Sequence, residues 1–312
     1  MHTTHPDGEA EFLTGLLGAG LLIPCDVPGV YGRSATFEAV VAGIDGLAFA
    51  EARRDDAEEV RFPPVMSRHD FERSGYLGSF PHLAGSVFGF TGDERSAFEL
   101  SGRAAAHEDW SEFQGMTDVV LIPASCYPVY PWVASRGPLP DGGRLVDVGG
   151  YCFRREPSSD PARMQAFRMH ENVRIGDPDV VAAWHAEWQE RGARILGGLG
   201  LAVDVVPAND PFFGRAGRIL ASGQHEQQLK MEIVCPISSA RPGAVLSVNA
   251  HLDHFGTDFG IATKSGGPAH TACIGFGLER VALALFHRHG IDSDNWPERV
   301  REQLWPMLEE AP

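Results

Sequence analysis

The chain has 312 residues, of which 43% are hydrophobic and 22% are charged, so its composition is that of an ordinary globular protein with ample material for a core. Its 42 acidic residues outnumber the 26 basic ones, which gives a formal net charge of −16. An acidic surface repels a phosphate backbone, so the composition argues against a tRNA or DNA partner unless a local basic patch exists.

The cysteines and the N-terminus bear on the compartment. The five cysteines are an odd number without a CxxC motif, which suits a reducing compartment better than a disulfide framework. The N-terminus has no basic segment, and the apolar run over residues 12–24 is too short to span a bilayer. We therefore expect a cytoplasmic protein with no membrane partner.

Residues 1–58 predict an N-terminal helical appendage. Apolar residues recur there at mixed helical spacing, with a Pro/Gly break at residues 24–32 and a second helix predicted over residues 37–53. The character changes near residue 60, where Ser67 can cap a short helix with Asp70 three residues later. We therefore predict a boundary that leaves residues 59–312 as the main domain.

Residues 145–175 predict two long antiparallel strands joined by a loop. Period-two alternation places Arg154 and Glu156 on one face of the first strand, and Met169 and Glu171 on one face of the second. A cation and a carboxylate on one face can hold an α-phosphate and an adenine amino group. They can equally form an ion pair within the sheet, which contributes little stability. Spacing alone leaves both interpretations open.

The segments that follow define the fold class. A helix is predicted from Asp177 to about Gly192, and residues 217–225 are predicted as helix or loop. Further strands are predicted at residues 227–235 and 246–251. Because strands cluster, helices intervene irregularly and long antiparallel pairs dominate, we predict an α+β fold with an antiparallel sheet flanked by helices.

Residues 271–286 predict a buried strand that turns directly into a helix. Small and apolar residues alternate up to Gly277, and apolar residues then recur at helical spacing. Arg280 lies in the first turn, where the helix dipole disfavours a cation and a phosphate would compensate. The alternative is a structural unit with an incidental arginine. A dinucleotide-binding fingerprint is excluded, because Arg280 replaces its third glycine and only 32 residues follow.

Several ordered stretches resemble the signatures of class II aminoacyl-tRNA synthetases. Residues 61–75 resemble the first signature as seryl-tRNA synthetases carry it. Residues 153–156 (FRRE) and 167–171 (FRMHE) resemble the second, and residues 275–280 (GFGLER) resemble the third. Residues 247–255 resemble the segment that precedes the third signature in seryl-tRNA synthetases. The resemblance implies a class II synthetase-like antiparallel sheet and a catalytic domain over residues 59–312.

Within that superfamily the chain most resembles the amino acid:[carrier protein] ligases, truncated homologues of atypical, zinc-dependent seryl-tRNA synthetases. Only about 60 residues precede Arg61, and they are neither basic nor a long coiled coil, so we do not expect a tRNA-binding domain. The resemblance implies that a small amino acid, such as glycine or alanine, is activated with ATP and passed to the phosphopantetheine thiol of an acyl or peptidyl carrier protein. The alternatives are seryl-tRNA-synthetase-like tRNA aminoacylation and a non-catalytic paralogue that senses an amino acid.

The resemblance also implies the site residues, a homodimer, and Zn²⁺ and Mg²⁺ as cofactors beside ATP. Arg154 would hold the α-phosphate and Arg280 the γ-phosphate, as the catalytic residues. Other ATP contacts would come from Glu156, Arg163, Met164 and Lys230. The amino acid would be bound by Glu171, Ser247 and Asn249. The zinc ligands would be Cys126, Glu171 and Cys273.

Three further interpretations concern residues outside that set. Cys152 and Cys235 are expected to be small buried hydrophobes. The pair His251 and His254 looks like a hydrolase metal motif, although a structural or loop-lining cluster is the favoured interpretation. Residues 177–200 are a candidate docking surface for the carrier protein through Arg191 and Arg194.

Overall fold

The computed structural model describes residues 7–211, 228–238 and 242–306, so the predicted element at residues 217–225 lies outside the described residues. The described helices are α1 (Asp7–Gly18), α2 (Ala35–Arg54), α3 (Arg68–Arg73), α4 (Tyr76–Ser79), α5 (Glu94–Ala105), α6 (Val129–Ala134), α7 (Pro178–Gly198), α8 (His254–Phe259), α9 (Leu278–His289) and α10 (Glu298–Leu304). The strands are β1 (Leu22–Pro24), β2 (Tyr31–Arg33), β3 (Glu58–Val60), β4 (Val65–Ser67), β5 (Ser86–Phe90), β6 (Gln114–Leu121), β7 (Arg144–Phe153), β8 (Ala166–Gly176), β9 (Asp204–Pro207), β10 (Lys230–Pro236), β11 (Pro242–Leu252) and β12 (His270–Gly277).

A seven-stranded sheet with the order β3-β7-β8-β12-β11-β10-β9 forms the centre of the molecule. Neighbouring strands pair antiparallel, except that β3 runs parallel to β7. The β7–β8 pair extends from Arg144 opposite Ile175 to Phe153 opposite Ala166. The predicted α+β class with an antiparallel sheet flanked by helices is confirmed.

The alternation predicted for the first long strand is wrong at its end. β7 stops at Phe153, so Arg154 and Glu156 lie in the connection beyond it. The Arg154 amide still donates to Gln165, but the Arg155 amide donates to Leu83 and the Glu156 amide donates back to the Arg154 carbonyl at 2.7 Å. The pairing with β8 therefore ends here, since the Arg155 and Glu156 amides have their partners outside the strand pair.

Helices α2, α7 and α9 cover one face of the central sheet. Phe37 of α2 stacks on Phe286 of α9 with 5.6 Å between ring centroids, and both side chains belong to a core that also contains residues of α7 and β11. Ser34 caps α2 by accepting a hydrogen bond from the Phe37 amide. The described part of residues 1–58 therefore shares its core with the sheet, and the boundary at residue 59 stays a prediction.

Helix α7 continues to Gly198, past the predicted end near Gly192. Gly192 does not end the helix but lets it lie close to the sheet, because a Cβ atom there would come within 2.7 Å of Ile233 Cδ1. The predicted helix end near Gly192 is therefore wrong, since the helix continues through this glycine to Gly198. Burial of Cys152 and Cys235 is as predicted.

A second sheet, ordered β4-β6-β5, lies beside the first, and helix α5 lies in the connection between β5 and β6. Its strands expose Phe88, Phe90 and Met116, and α5 exposes Phe98. None of the elements within residues 84–118 was predicted from the sequence. No helix within residues 7–211, 228–238 and 242–306 is long and apolar enough to cross a membrane.

Candidate active site

A cleft of about 440 Å³ opens on the face of the central sheet that α2 does not cover. Alternation along β8 sets this division, because Met169 and Glu171 line the cleft while Arg168 and His170 contact α2. The cleft brings together most of the residues predicted for the site: Cys126, Arg154, Glu156, Met164, Glu171, Lys230, Ser247, Asn249, Cys273 and Arg280. The predicted Arg163 lies at the rim, exposed, with its guanidinium 2.7 Å from Glu156.

Cys126, Glu171 and Cys273 form a buried cluster at the floor of the cleft. One ligand atom from each lies within 4.8 Å of those of the other two. Cys126 comes from the loop after β6, and its backbone N–H donates to Glu171 Oε2 at 2.7 Å. Gly275 lies opposite Glu171 in the β8–β12 register, and a Cβ atom there would approach Glu171 Cγ to 3.2 Å. The glycine therefore leaves room for the Glu171 side chain.

The electrostatics of this cluster suit a cation. Burial, and then the neighbouring Cys273, raise the pKa of Glu171 to about 8. Cys126 and Cys273 share a hydrogen bond that holds the pKa of Cys273 well below its ordinary value and raises that of Cys126. Two sulfur atoms and a carboxylate are ligands that Zn²⁺ prefers, and three protein ligands leave a fourth position for a substrate. The residues present therefore fit a zinc ion.

Side chains around Cys273 fix its sulfur atom. The Asn249 amide donates to Cys273 Sγ at 3.5 Å, and His251 Nε2 lies 3.8 Å from the same atom. The other ring nitrogen of His251 lies 3.1 Å from Thr271 Oγ1. His254 instead lies 3.2 Å from the Ser74 carbonyl, so the two histidines do not converge on one point. The favoured interpretation of this pair, a structural cluster, agrees with these contacts.

Arg154 and Arg280 are half-buried at the wall of the same cleft. Arg154 Nε donates to the Pro123 carbonyl at 2.9 Å, and Arg280 donates to the carbonyls of Ala162 and Ala244. In the part of the chain that the structure describes, the oxygen partners of both guanidinium groups are carbonyls, not carboxylates. Burial, and then the charge of Arg154, lower the pKa of Arg280. Two cations that repel each other, and that pair with no carboxylate of the described residues, form a site for an anion.

The comparisons with known proteins decide the family. No protein-family model matches the chain. Two relatives from Bradyrhizobium diazoefficiens, amino acid–[acyl-carrier-protein] ligases 1 and 2, are 48% and 49% identical to it. The alignments cover 88% and 89% of this chain and 85% and 83% of those proteins. The chain belongs to the amino acid–[acyl-carrier-protein] ligases.

More distant matches place this ligase within the class II synthetase fold. The type-2 serine–tRNA ligase of Methanopyrus kandleri is 29% identical over 59% of the chain and 37% of its own length. The solved complex of A. aeolicus tRNASec with M. kandleri SerRS superimposes with a TM-score of 0.80 at 22% identity, over 94% of this chain and 60% of that one. A serine–tRNA ligase from Naegleria fowleri in complex with AMP gives a TM-score of 0.68 at 12% identity, over 94% and 65%.

Two buried residues near the cleft, Tyr130 and Glu279, were not predicted from the sequence. Tyr130 is fully buried, and its ring stacks on Phe255 with 3.9 Å between centroids, in the same buried cluster as Cys126. Glu279 is also buried, and it accepts hydrogen bonds from the backbone and side chain of Arg168. The sequence offers one signal for Glu279, its position next to Arg280. Its burial could not be predicted, since a buried carboxylate needs partners that only the fold supplies.

The predicted docking residues of the ligase differ in their surroundings. Arg191 is buried and pairs with Glu51 and Asp55 of the N-terminal segment. Its guanidinium is therefore occupied within the fold, and its use for carrier docking is a wrong expectation. Arg194 is exposed on α7 and stays a candidate.

Proposed function

We propose that the protein activates a small amino acid with ATP as an aminoacyl-adenylate and transfers it to the phosphopantetheine thiol of a carrier protein. The observation that carries the proposal is one cleft that holds both a Cys-Glu-Cys cluster and two arginines whose oxygen partners, among the described residues, are carbonyls rather than carboxylates. The first group suits an α-amine bound through zinc, and the second suits a polyphosphate. The names of the two Bradyrhizobium relatives support the same activity.

Cys126, Glu171 and Cys273 would hold the zinc ion. Zinc bound there would supply a Lewis acid that takes up the neutral α-amine, since a protonated amine has no free electron pair. Ser247 and Asn249 line the cleft on β11, the strand beside the one that carries Cys273. We propose that these two side chains contact the amino acid, and that Asn249 keeps its hydrogen bond to Cys273.

Activation is a displacement at the α-phosphorus of ATP. A carboxylate oxygen of the amino acid attacks that atom, the bond to the bridging oxygen breaks, and pyrophosphate leaves. Arg154 would neutralise the charge that develops on the α-phosphate, and Arg280 would hold the γ-phosphate, so catalysis consists of positioning and charge stabilisation. Mg²⁺ would accompany ATP, since it binds phosphate oxygens with few protein ligands. In the second step the carrier thiol attacks the acyl carbon, its proton is lost to the solvent, and AMP leaves.

We propose that Glu156, Arg163, Met164 and Lys230 bind the nucleotide. Glu156 and Arg163 form an ion pair in this structure, so each would exchange its partner when adenine binds. Lys230 is buried beside Asp210 and Glu232, 2.6 and 3.2 Å away. Met164 is buried and lines the cleft.

We propose a homodimer and a carrier protein as partners, and no tRNA. The exposed apolar residues Phe88, Phe90 and Met116 on the sheet that contains β4 support a protein contact there. The net charge of −16 disfavours a tRNA partner. The cytoplasmic location stays a prediction.

Mass spectrometry of a carrier protein tests the whole proposal. We expect the enzyme, ATP and a small amino acid to add one aminoacyl group to a phosphopantetheine-bearing carrier, and none to the same carrier with its attachment serine replaced. Aminoacylation of tRNA under the same conditions, or amino acid binding without any transfer, would favour one of the alternatives.

A further inference from the structure

The connection between β7 and β8, residues 154–165, carries three of the four residues proposed to bind the nucleotide besides the catalytic arginines. We call it the nucleotide loop. Asp160 stabilises a turn in this loop. Its carboxylate accepts a hydrogen bond from the Ala162 amide, and its backbone carbonyl accepts one from the Arg163 amide. The hydrogen bonds that pair β7 with β8 extend into the loop by one bond, from the Arg154 amide to the Gln165 carbonyl at 2.9 Å. A connection of this kind needs support from elsewhere to keep one conformation.

Residues 28–33, which we call the N-terminal clasp, supply that support. The Gln165 amide donates to the Gly29 carbonyl at 2.7 Å, and the Gln165 side chain donates to the Pro28 carbonyl at 2.8 Å. Arg33 donates to the Ala166 carbonyl at 2.9 Å and to the Met164 sulfur at 3.5 Å. Three successive residues, the last two of the nucleotide loop and the first of β8, are thus hydrogen-bonded to the clasp.

Close contact between the clasp and the nucleotide loop depends on a glycine. Gly29 has a φ of +76°, in the left-handed region that other residues rarely adopt. A Cβ atom at this position would lie 3.0 Å from the Arg163 carbonyl oxygen. Both the backbone conformation and the available space at Gly29 therefore favour glycine.

The clasp is also tied to the start of α9, where Arg280 lies. Arg33 pairs with Glu279 at 3.3 Å, and both side chains are buried. Glu279 also accepts a hydrogen bond from Arg168, which in turn pairs with Glu38 of α2. Arg280 itself donates to the Ala162 carbonyl of the nucleotide loop at 2.8 Å. The clasp, the nucleotide loop and the proposed γ-phosphate arginine therefore form one connected network.

We propose that the N-terminal clasp is a positioning element of the ATP site, with Arg33 and Gly29 as its positioning residues. This inference rests on the proposed function. The clasp holds the nucleotide loop against Arg280 before ATP arrives, so binding does not have to order the loop. Arg33 acts through the loop and through Glu279, not by contact with the nucleotide.

Amide hydrogen exchange of the ligand-free protein tests the clasp without any substrate. We expect Arg33→Ala to raise the exchange rate of residues 154–166 by about tenfold, the size of one hydrogen bond to a charged group. Exchange in β11 and β12 should stay unchanged. Gly29→Ala should have the same effect, and Arg33→Lys, which keeps the charge beside Glu279, should have a smaller one. Arg54→Ala is the matched control, because Arg54 is an exposed, paired arginine at the end of α2, outside the clasp.

Pyrophosphate-exchange kinetics then separate positioning from stability. We expect Arg33→Ala to raise KM for ATP by about tenfold and to leave KM for the amino acid close to that of Arg54→Ala, whereas a general loss of stability would not act on one substrate alone. An unchanged rate of amide hydrogen exchange over residues 154–166, or an unchanged KM for ATP, would overturn the proposed role of the clasp. A wild-type protein without pyrophosphate exchange would instead overturn the proposed function, and the hydrogen-exchange result would still decide whether the clasp holds the loop.

Discussion

Single residues divide the cleft into two chemical regions. Cys126, Glu171 and Cys273 gather electron-pair donors at the floor, whereas Arg154 and Arg280 place positive charge at the wall. An amino acid carries an amine at one end and a carboxylate at the other, so it can join the two regions. Under the proposed function the amine would lie at the metal and the carboxylate near the phosphates, which is the arrangement that adenylation needs.

The metal cluster gives a direct prediction. Cys126→Ser and Cys273→Ser should each lower bound zinc to a small fraction of the wild-type content, because a hydroxyl is a much poorer zinc ligand than a thiolate. Elemental analysis of purified protein measures this. Cys25→Ser is the control, since Cys25 is exposed and lies outside the cluster. Full zinc content in both cluster variants would show that the assignment is wrong.

His251 gives a second prediction at this scale. Its contact with Cys273 should orient the sulfur, so His251→Ala should weaken zinc binding by roughly 10–100-fold, as for other residues that support metal ligands. Competition with a chromophoric chelator measures the affinity. His254→Ala is the matched control, because His254 contacts Ser74 rather than the cluster. Equal affinities for the two variants would argue against a role for His251.

Helices and strands were predictable where the residue pattern has one strong period. The β7–β8 pair and the β12–α9 unit lie where alternation and helical spacing placed them. The ends of β7 and α7 were missed, because Arg155 finds a partner on another segment and Gly192 packs against β10. Within residues 84–118, neither β5 nor α5 has a fully buried residue, so apolar side chains such as Phe88 and Phe98 do not mark a buried face.

The packing of α7 on the sheet predicts a pH dependence. Burial lowers the pKa of His185, whose ring lies 3.4 Å from the Val248 carbonyl. The stability contributed by neutral His185 is present above its unfolded pKa of about 6.5 and is lost as the pH falls toward the lower folded value. We therefore expect the free energy of unfolding, measured with urea, to fall between about pH 7.5 and about pH 5.5. The fall should be larger for the wild type than for His185→Gln. Equal drops would contradict this account.

The whole molecule combines a class II synthetase fold with a strongly acidic surface. The family and the cluster of site residues could be predicted from the sequence, because the resemblance covers ordered stretches over about three quarters of the chain. The partners of Glu279, Arg33 and Arg191 could not be predicted from the sequence, since each of these residues is buried against a segment more than a hundred residues away along the chain. Such contacts depend on the complete fold rather than on a local pattern.

The acidic surface gives a prediction for the whole molecule. With a net charge of −16, the protein should show no tight binding to total tRNA at physiological salt. A gel-shift titration measures this, with a tRNA-charging seryl-tRNA synthetase as the positive control. A tight complex with tRNA would instead support the aminoacylation alternative.

Amino-acid-dependent exchange of pyrophosphate into ATP tests the central claim most directly. We expect the wild-type protein to exchange with at least one small amino acid, and Arg154→Ala and Arg280→Ala each to lose at least about 100-fold in rate, as when a group that stabilises transition-state charge is removed. Arg95→Ala, on the exposed face of α5, should match the wild type. No exchange with any small amino acid, or full exchange in both cleft variants, would contradict the account.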